Sequence, residues 1–299
     1  MKDETVIAEA MNQQVRIHCA RSTDMVSAAQ KAHDSAAACT AALGRTLTVT
    51  GLLASDLKQK EEHVRVRISG GGPIGRIICE GDGAGNVRGF GENMNIYASR
   101  PDGHLDVGKV VGTEGTLQVS RDMGLKEPFT GTVELVSGEI GEDFARYFAV
   151  SEQTPSVVSV GVLVNTDSSV LAAGGLIIQL LPGAQEETIS ALEEMVKTMR
   201  PMTEYMQEGM EAEELILHLF PDARILGHRQ LRWHCDCSRE RFSDAMMTLR
   251  KEDIASMIEE DHGAEIVCQF CQRKYVFSEE DLREILEKRL HVEDRNRTS

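Results

Sequence analysis

Hydrophobic and polar residues alternate at a period of two in several stretches of the first 180 residues, a pattern typical of half-buried β-strands. The clearest is "HVRVRISG" at His63–Gly70, and "GRIICEGDGAGNVRGFGEN" predicts two further strands joined by a glycine-rich turn. Additional strands are predicted for "TLQVS", "GTVELVSG", "SVVSVGVLV" and the apolar run Val170–Leu181. Residues 23–57 are alanine-rich and predict one or two helices, and another helix is expected near Glu142. Together these elements predict an α+β domain over residues 1–183, with helices on a mixed, largely antiparallel sheet.

The pattern changes after "LLPGA", where a strongly acidic segment begins. Ala184–Asp222 carries ten acidic and two basic residues and predicts helices broken at Pro201 and near Gly209. Repulsion between the acids weakens such helices, so their apolar face needs a partner surface. We therefore expect a metastable helical linker over residues 184–230.

Methionines form an apolar stripe in this acidic segment. Five of the thirteen methionines occur at spacings of four, three, four and four: Met195, Met199, Met202, Met206 and Met210. Core packing against a neighbouring domain is the ordinary explanation. Because methionine surfaces also adapt to varied partners, the alternative is a binding face that is covered in one state and exposed in another.

Residues 231–293 form a third block with short elements. "RILGHRQLRWHC" predicts a strand that leads into it, and "ERFSDAMMTLR" and "KEDIASMIEED" predict short helices. A hairpin around "CQFCQRKYVF" and a closing helix from Ser278 complete the block. A core of this size rarely supplies more than about 3–5 kcal/mol, so another source of stability is needed.

Four of the seven cysteines lie in this block as two close pairs, Cys235–Cys237 and Cys268–Cys271. Two pairs about thirty residues apart predict one zinc site with four thiolate ligands, worth about 10–16 kcal/mol at neutral pH. Two buried pairs without a metal are the alternative. A closed four-thiolate site leaves no position for a substrate water, so a structural or regulatory metal is expected. The other cysteines occur singly and are expected to be small buried residues: Cys19, Cys39 and Cys79.

Composition and charge exclude several classes of function. The formal net charge of −16 argues against binding to nucleic acid or to anionic membranes, both of which attract Lys and Arg. The first residues include early acids and no apolar segment, and the longest apolar run is shorter than a membrane span of about 20 residues. We expect a cytoplasmic, reducing compartment, where paired cysteines are more often metal ligands or redox centres than structural disulfides.

Two glycine motifs are similar to nucleotide-binding loops but lack a decisive feature. In "GGGPIG" the glycines Gly70, Gly72 and Gly75 precede a predicted strand rather than a phosphate-binding helix, which favours a tight turn. "GHLDVGKV" has Val110 where a P-loop needs a hydroxyl for magnesium, so ATP binding is not expected. Since G-x-S-x-G and H-E-x-x-H are also missing, the chain is not predicted to be an enzyme.

Several stretches resemble one known family, in the same order and over essentially the whole chain. They are "RTLTVTGLLASDLK", "GGGPIG", "GTLQV", "YFAVSEQTPS", "AGGLIIQLLPGA" and the cysteine pairs in "WHCDCSRERF" and "CQFCQRKYVF". The family is heat shock protein 33, the redox-regulated bacterial chaperones. The resemblance implies an ATP-independent holdase that is zinc-bound and inactive when reduced and binds unfolding proteins after oxidation.

Carried over to this sequence, the resemblance implies one zinc ion per chain in the reduced state, held by Cys235, Cys237, Cys268 and Cys271. It also implies two redox-active disulfides, Cys235–Cys237 and Cys268–Cys271, with loss of zinc, unfolding of the linker and formation of a homodimer. Chemistry alone permits such a switch without proving it. Loop-closure entropy favours the near pairs once the metal has left.

Two other functions stay open at the level of the sequence. A zinc-ribbon regulator of transcription or translation would explain the cysteines, but the net charge and the lack of a basic patch oppose it. A thiol–disulfide oxidoreductase could use Cys268 and Cys271, but the βαβ setting expected for such a motif is missing.

Overall fold

The computed structural model describes the backbone of residues 2–297 and the side chains of residues 2–289. The chain divides into two compact units, Met1–His234 and Cys235–Ser299. In chain order the strands are β1 Glu4–Ala10, β2 Val15–Arg21, β3 His63–Ser69, β4 Arg76–Asp82, β5 Asn86–Gly91, β6 Thr116–Asp122, β7 Phe129–Glu134, β8 Ser156–Val164, β9 Val170–Leu180, β10 Arg224–Gln230, β11 Arg232–Trp233, β12 Gly263–Val267 and β13 Lys274–Ser278. The helices are α1 Thr23–His33, α2 Ala37–Ala54, α3 Val107–Val111, α4 Gly141–Val150, α5 Glu186–Thr198, α6 Met202–Gln207, α7 Ala212–Leu219, α8 Arg239–Met246, α9 Lys251–Glu259 and α10 Glu279–Arg297.

The strands of the first unit belong to two sheets. One has five strands in the order β10-β1-β2-β9-β8, and the other has six in the order β11-β5-β4-β3-β6-β7. All neighbours are antiparallel except β11 and β5, which run parallel. The predicted α+β class with largely antiparallel pairing is therefore confirmed. The residue periodicity does not predict β1 and β2, because their alternation rests partly on alanines.

Helix α2 is the central helix of this unit. It packs against strands of both sheets, and nearly all of its side chains are buried. Its buried threonine hydroxyls donate hydrogen bonds to carbonyls four residues earlier, which satisfies them inside an apolar core: Thr46 to Ala42, Thr48 to Gly44 and Thr50 to Thr46. Among the described residues α2 is the one helix long and apolar enough to cross a bilayer, but 89% of that stretch is buried within the fold.

The glycine motif "GGGPIG" lies in the turn between β3 and β4, as predicted. A side chain would not fit at Gly72, because a Cβ there would come within 2.4 Å of the Val110 carbonyl oxygen. Gly75 adopts a φ of 73°, the left-handed region that favours glycine. The glycines therefore serve a tight turn packed against α3.

The acidic segment covers one face of the five-stranded sheet. Its helices are broken at Pro201 and around Gly209, as the sequence predicts. All five methionines of the stripe belong to the packed cluster, and Met202 and Met206 are almost fully buried. The sheet contributes buried side chains to the same cluster: Val6, Ala8, Ile17, Cys19, Leu176 and Ile178. The helices have 13, 6 and 8 residues. Helices shorter than about 12–15 residues are marginal alone in water, so packing on the sheet keeps them folded.

The second unit has the predicted short helices, hairpin and closing helix. Strands β12 and β13 form the antiparallel hairpin, with α10 packed against β13 and α9, and α9 against β12. Among the described residues its core has six buried side chains: Met246, Ile254, Ile258, Phe277, Leu282 and Ile285.

Candidate metal centre

Four cysteines of the second unit come from two loops. Cys235 and Cys237 lie between β11 and α8, where Ser238 caps the helix by accepting a hydrogen bond from the Arg241 amide at 3.2 Å. Cys268 follows β12, and Cys271 lies in the turn that leads to β13. Each loop therefore presents two thiols close to a fixed element.

The second loop is a tight turn closed by backbone hydrogen bonds. The Cys268 amide donates to the Arg273 carbonyl at 3.0 Å, and the Gln272 amide donates to the Cys268 carbonyl at 2.8 Å. Gln272 adopts a left-handed φ of 58°, which reverses the chain. This turn keeps Cys268 and Cys271 on the same side of the hairpin.

The structure brings the four predicted cysteines together. All four Sγ atoms lie within 4.8 Å of one another. The Sγ atoms of Cys235 and Cys268 are 3.7 Å apart, and those of Cys237 and Cys271 are 3.4 Å apart. A disulfide needs an S–S distance of about 2.05 Å, so these contacts are not bonds.

The cluster fits a tetrahedral metal ion. With metal–sulfur bonds of about 2.3 Å, neighbouring sulfur atoms of a tetrahedral site are separated by about 3.8 Å. The two measured contacts lie close to that value, and four thiolates are a soft donor set that suits zinc or iron rather than magnesium or calcium. The residues that could hold the ion are Cys235, Cys237, Cys268 and Cys271.

Tyr275 of β13 contacts one of the four thiols. Its hydroxyl lies 3.2 Å from the Cys237 Sγ and donates a hydrogen bond to the Cys237 carbonyl at 2.9 Å. The Phe242 ring, from α8, packs on the tyrosine ring with a centroid distance of 5.0 Å. Sequence spacing gives no sign of this contact, because the hairpin and α8 must fold before the hydroxyl reaches the loop.

The thiols of the cluster differ in acidity. Burial raises the pKa of Cys235 and Cys271 above the ordinary value for a thiol. Burial also acts to raise the pKa of Cys237, but hydrogen bonds from Tyr275 and the other three thiols outweigh it and lower that pKa. The site therefore favours charge on Cys237.

The three single cysteines are buried in the first unit, as expected. Burial raises the pKa of the Cys19 thiol to about 12 and that of Cys79 well above its ordinary value. Cys39 is also buried, and its pKa is raised for the same reason. Because the thiolate is the reactive form, these thiols are unreactive in the folded unit.

Comparison with known proteins matches residues 3–278 to the model of one family, the Hsp33 protein family. The chain belongs to the Hsp33 family. It is 46% identical to the 33 kDa chaperonin of Bacillus velezensis over 287 residues, which covers 95% of this chain and 98% of that protein. The 33 kDa chaperonin of Shouchella clausii is 47% identical over 290 residues, covering 96% and 98%.

The fold agrees with an Hsp33 crystal structure. The 33 kDa chaperonin of Thermotoga maritima superposes with a TM-score of 0.90 at 32% identity, covering 97% of this chain and 100% of that chain. The relatives are named as chaperonins, which is not an enzyme class, and family and fold together support a chaperone that binds unfolded proteins. The C-x-x-C motif lies on a two-stranded hairpin. That setting differs from the βαβ unit expected for an oxidoreductase.

Proposed function

We propose that this Hsp33 chain is a redox-regulated, ATP-independent holdase whose inactive state depends on zinc bound by Cys235, Cys237, Cys268 and Cys271. The observation that carries the proposal is four sulfur atoms within 4.8 Å of one another, in a unit with six buried core side chains among the described residues. Zinc is the metal that four thiolates hold in closed structural sites. One ion per chain fills such a cluster.

Oxidation removes the ligands in pairs. A thiolate gives two electrons to a hydroperoxide, the O–O bond breaks, and the sulfur becomes a sulfenic acid while hydroxide leaves. The second thiolate of the pair attacks that sulfur, forms the disulfide and releases another hydroxide. Disulfides Cys235–Cys237 and Cys268–Cys271 therefore consume two equivalents of peroxide and leave no thiolate for the metal.

Loss of the metal unfolds the second unit, because its small core needs the free energy of metal binding. Cys235 follows β10 and β11 directly along the chain, and these strands continue from the acidic segment. We propose that residues 184–230 form the metastable linker, that residues 231–293 form the zinc switch, and that unfolding spreads from the switch into the linker.

Release of the linker would uncover a hydrophobic surface in the first unit. Helices α5, α6 and α7 cover apolar residues of β1, β2 and β9, and the helices themselves contribute Leu192, Tyr205 and Leu215. Unfolding proteins expose similar apolar surface, so both faces of the opened cluster are suited to bind them. The oxidised protein is proposed to act as a homodimer in the cytoplasm.

The test follows zinc and holdase activity on one sample before and after oxidation. The reduced protein should release one zinc per chain to a chromophoric chelator when peroxide is added, and peptide mapping should find the two near-pair disulfides. Light scattering of a heat-denatured client in ATP-free buffer should then show suppressed aggregation, and sedimentation should show the dimer. Equal suppression by the reduced, zinc-loaded protein would contradict the switch.

A further inference from the structure

The hydroxyl of Tyr275 has one hydrogen and two neighbouring acceptors. It donates to the Cys237 carbonyl at 2.9 Å and lies 3.2 Å from the Cys237 Sγ. With a thiol at Cys237, the S–H can donate to the tyrosine oxygen while the tyrosine O–H donates to the carbonyl. With a thiolate the sulfur has no hydrogen, so the tyrosine O–H is the donor between them.

The hairpin and helix α8 together fix the position of the Tyr275 ring. Tyr275 lies on β13, paired with Ile266 of β12, and its ring packs on Phe242. These contacts fix the hydroxyl at the first cysteine loop without involving a sulfur atom. Removal of the hydroxyl alone would leave them in place.

We propose that Tyr275 is a positioning residue for the redox switch, whose hydroxyl hydrogen-bonds the Cys237 thiolate and slows its attack on oxidants. This inference rests on the proposed function of the cysteine cluster. A charge-assisted hydrogen bond withdraws electron density from the sulfur and stabilises the thiolate more than the transition state of attack. Tyr275 thereby sets how much oxidant is needed before the first loop is oxidised.

The proposed hydrogen bond slows the first oxidation step, the attack of the Cys237 thiolate on a hydroperoxide. The thiolate lone pair attacks one oxygen of a hydroperoxide, the O–O bond breaks, and the sulfur becomes a sulfenic acid as hydroxide leaves. The Cys235 thiolate then forms the S–S bond, and a second hydroxide leaves. Two electrons pass from sulfur to peroxide, and two protons from solvent convert the hydroxides to water.

The test compares Tyr275→Phe with the wild type in the full-length, zinc-loaded protein. Hydrogen peroxide is added, sulfenic acids are trapped with a dimedone probe, and the labelled cysteine is mapped by mass spectrometry over time. The rate constant at Cys237 should rise about 3- to 10-fold, from the strength of a hydrogen bond to a charged group and the partial sensitivity of thiolate attack to basicity. Tyr97→Phe is the matched control, because Tyr97 is 85% exposed in the first unit.

A cobalt-substituted sample gives a second readout that a purely structural role would not change. Loss of the hydrogen bond should make the Cys237 thiolate a stronger electron donor. The sulfur-to-cobalt charge-transfer band should then move to longer wavelength in Tyr275→Phe and stay in place in Tyr97→Phe. An unchanged band together with an unchanged rate at Cys237 would overturn the proposal.

Two outcomes keep the inference separate from the proposed function. If the wild type binds zinc and loses it on oxidation while Tyr275→Phe behaves identically, only the role of Tyr275 fails. If the wild type binds no zinc, the proposed function fails first. If Tyr275→Phe does not fold, the wild-type labelling time course still tests the proposal. Sulfenic acid that appears first at Cys237 would show that its thiolate is not protected.

Discussion

The two units of this Hsp33 chain differ in what their interiors contain. The first has two extensive apolar clusters around its sheets, and its cysteines are buried singly among aliphatic side chains. In the described part of the second, six buried side chains form the core beside the four clustered thiols. A hydrophobic core is stable in any redox state, whereas a thiol cluster holds a metal only while it stays reduced. If the cluster holds zinc as proposed, redox sensitivity lies in the second unit and redox-independent stability in the first.

Removal of the metal should produce the largest contrast between the units. Cys268→Ser deletes one ligand, and a structural zinc site is worth about 10–16 kcal/mol at neutral pH, so the second unit should unfold. The first unit should stay folded. Hydrogen exchange with mass spectrometry should show full exchange in residues 235–289 and protection in α2.

Cys39→Ala provides the control for this prediction, because it removes a buried cysteine of the first unit. It should keep one zinc per chain and a protected second unit. If Cys268→Ser also retains a full zinc complement and slow exchange, the metal is not what holds the second unit together.

The second contrast lies within the first unit, between the acidic segment and the sheet beneath it. Leu215 of α7 is fully buried against the sheet, and Leu215→Ala should cost about 2–5 kcal/mol. Since α7 has 8 residues and little stability of its own, this loss should free the segment without oxidant. Exchange in residues 184–222 should rise, and the reduced protein should suppress client aggregation.

Leu217 is the matched control on the same helix, because it is 40% exposed. Leu217→Ala should leave hydrogen exchange nearly unchanged, and the reduced variant should not suppress client aggregation more than the reduced wild type. Equal activation by both variants would mean that burial on the sheet is not what restrains the segment.

Local patterns predict most of the elements of this fold, and the misses have physical reasons. The strand from His63 and the helix breaks at Pro201 and Gly209 follow from residue periodicity and from the backbone limits of proline and glycine. β1 and β2 are missed because their burial depends on pairing with β9 and β10, far along the chain. The division of the strands into two sheets has the same non-local origin.

The residues of the candidate site also differ in whether local sequence patterns predict them. The four cysteines are found from spacing, since each pair is local and the pairs are chemically distinctive. Tyr275 is not found, because its contact with Cys237 joins residues 38 apart through the hairpin and α8. Residues that tune a site without a motif of their own emerge only from the folded geometry.

Acid should destabilise the first unit through His18. Burial lowers the pKa of this imidazole despite the nearby Asp56 carboxylate, so the folded unit keeps it neutral. The ordinary pKa of a histidine side chain is 6.5. Below pH 6.5 the imidazole binds a proton in the unfolded chain but not in the folded unit. The free energy of unfolding therefore decreases as the pH falls below this value.

The free energy of unfolding can decrease by about 1.4 kcal/mol per pH unit below the unfolded pKa. The His18→Gln variant should lack this pH dependence. Urea unfolding of both proteins at pH 7.5 and 5.5 checks this. The single tryptophan, Trp233, packs against the core of the first unit and serves as the fluorescence probe of that unit. Identical pH dependence in the two proteins would exclude His18 as the source.

The smallest effect should come from the helix cap beside the loop that carries Cys235 and Cys237. Ser238 follows Cys237 and caps α8 by accepting a hydrogen bond from the Arg241 amide. Ser238→Ala should cost about 0.5–2 kcal/mol. If metal binding and folding of the second unit are coupled as proposed, that cost should appear as a zinc affinity about 2- to 30-fold weaker in a chelator competition. Ser243→Ala, inside the same helix, should leave the affinity unchanged. If Ser238→Ala binds zinc as tightly as the wild type, the second unit folds independently of its metal, and the contrast between the two units loses its basis.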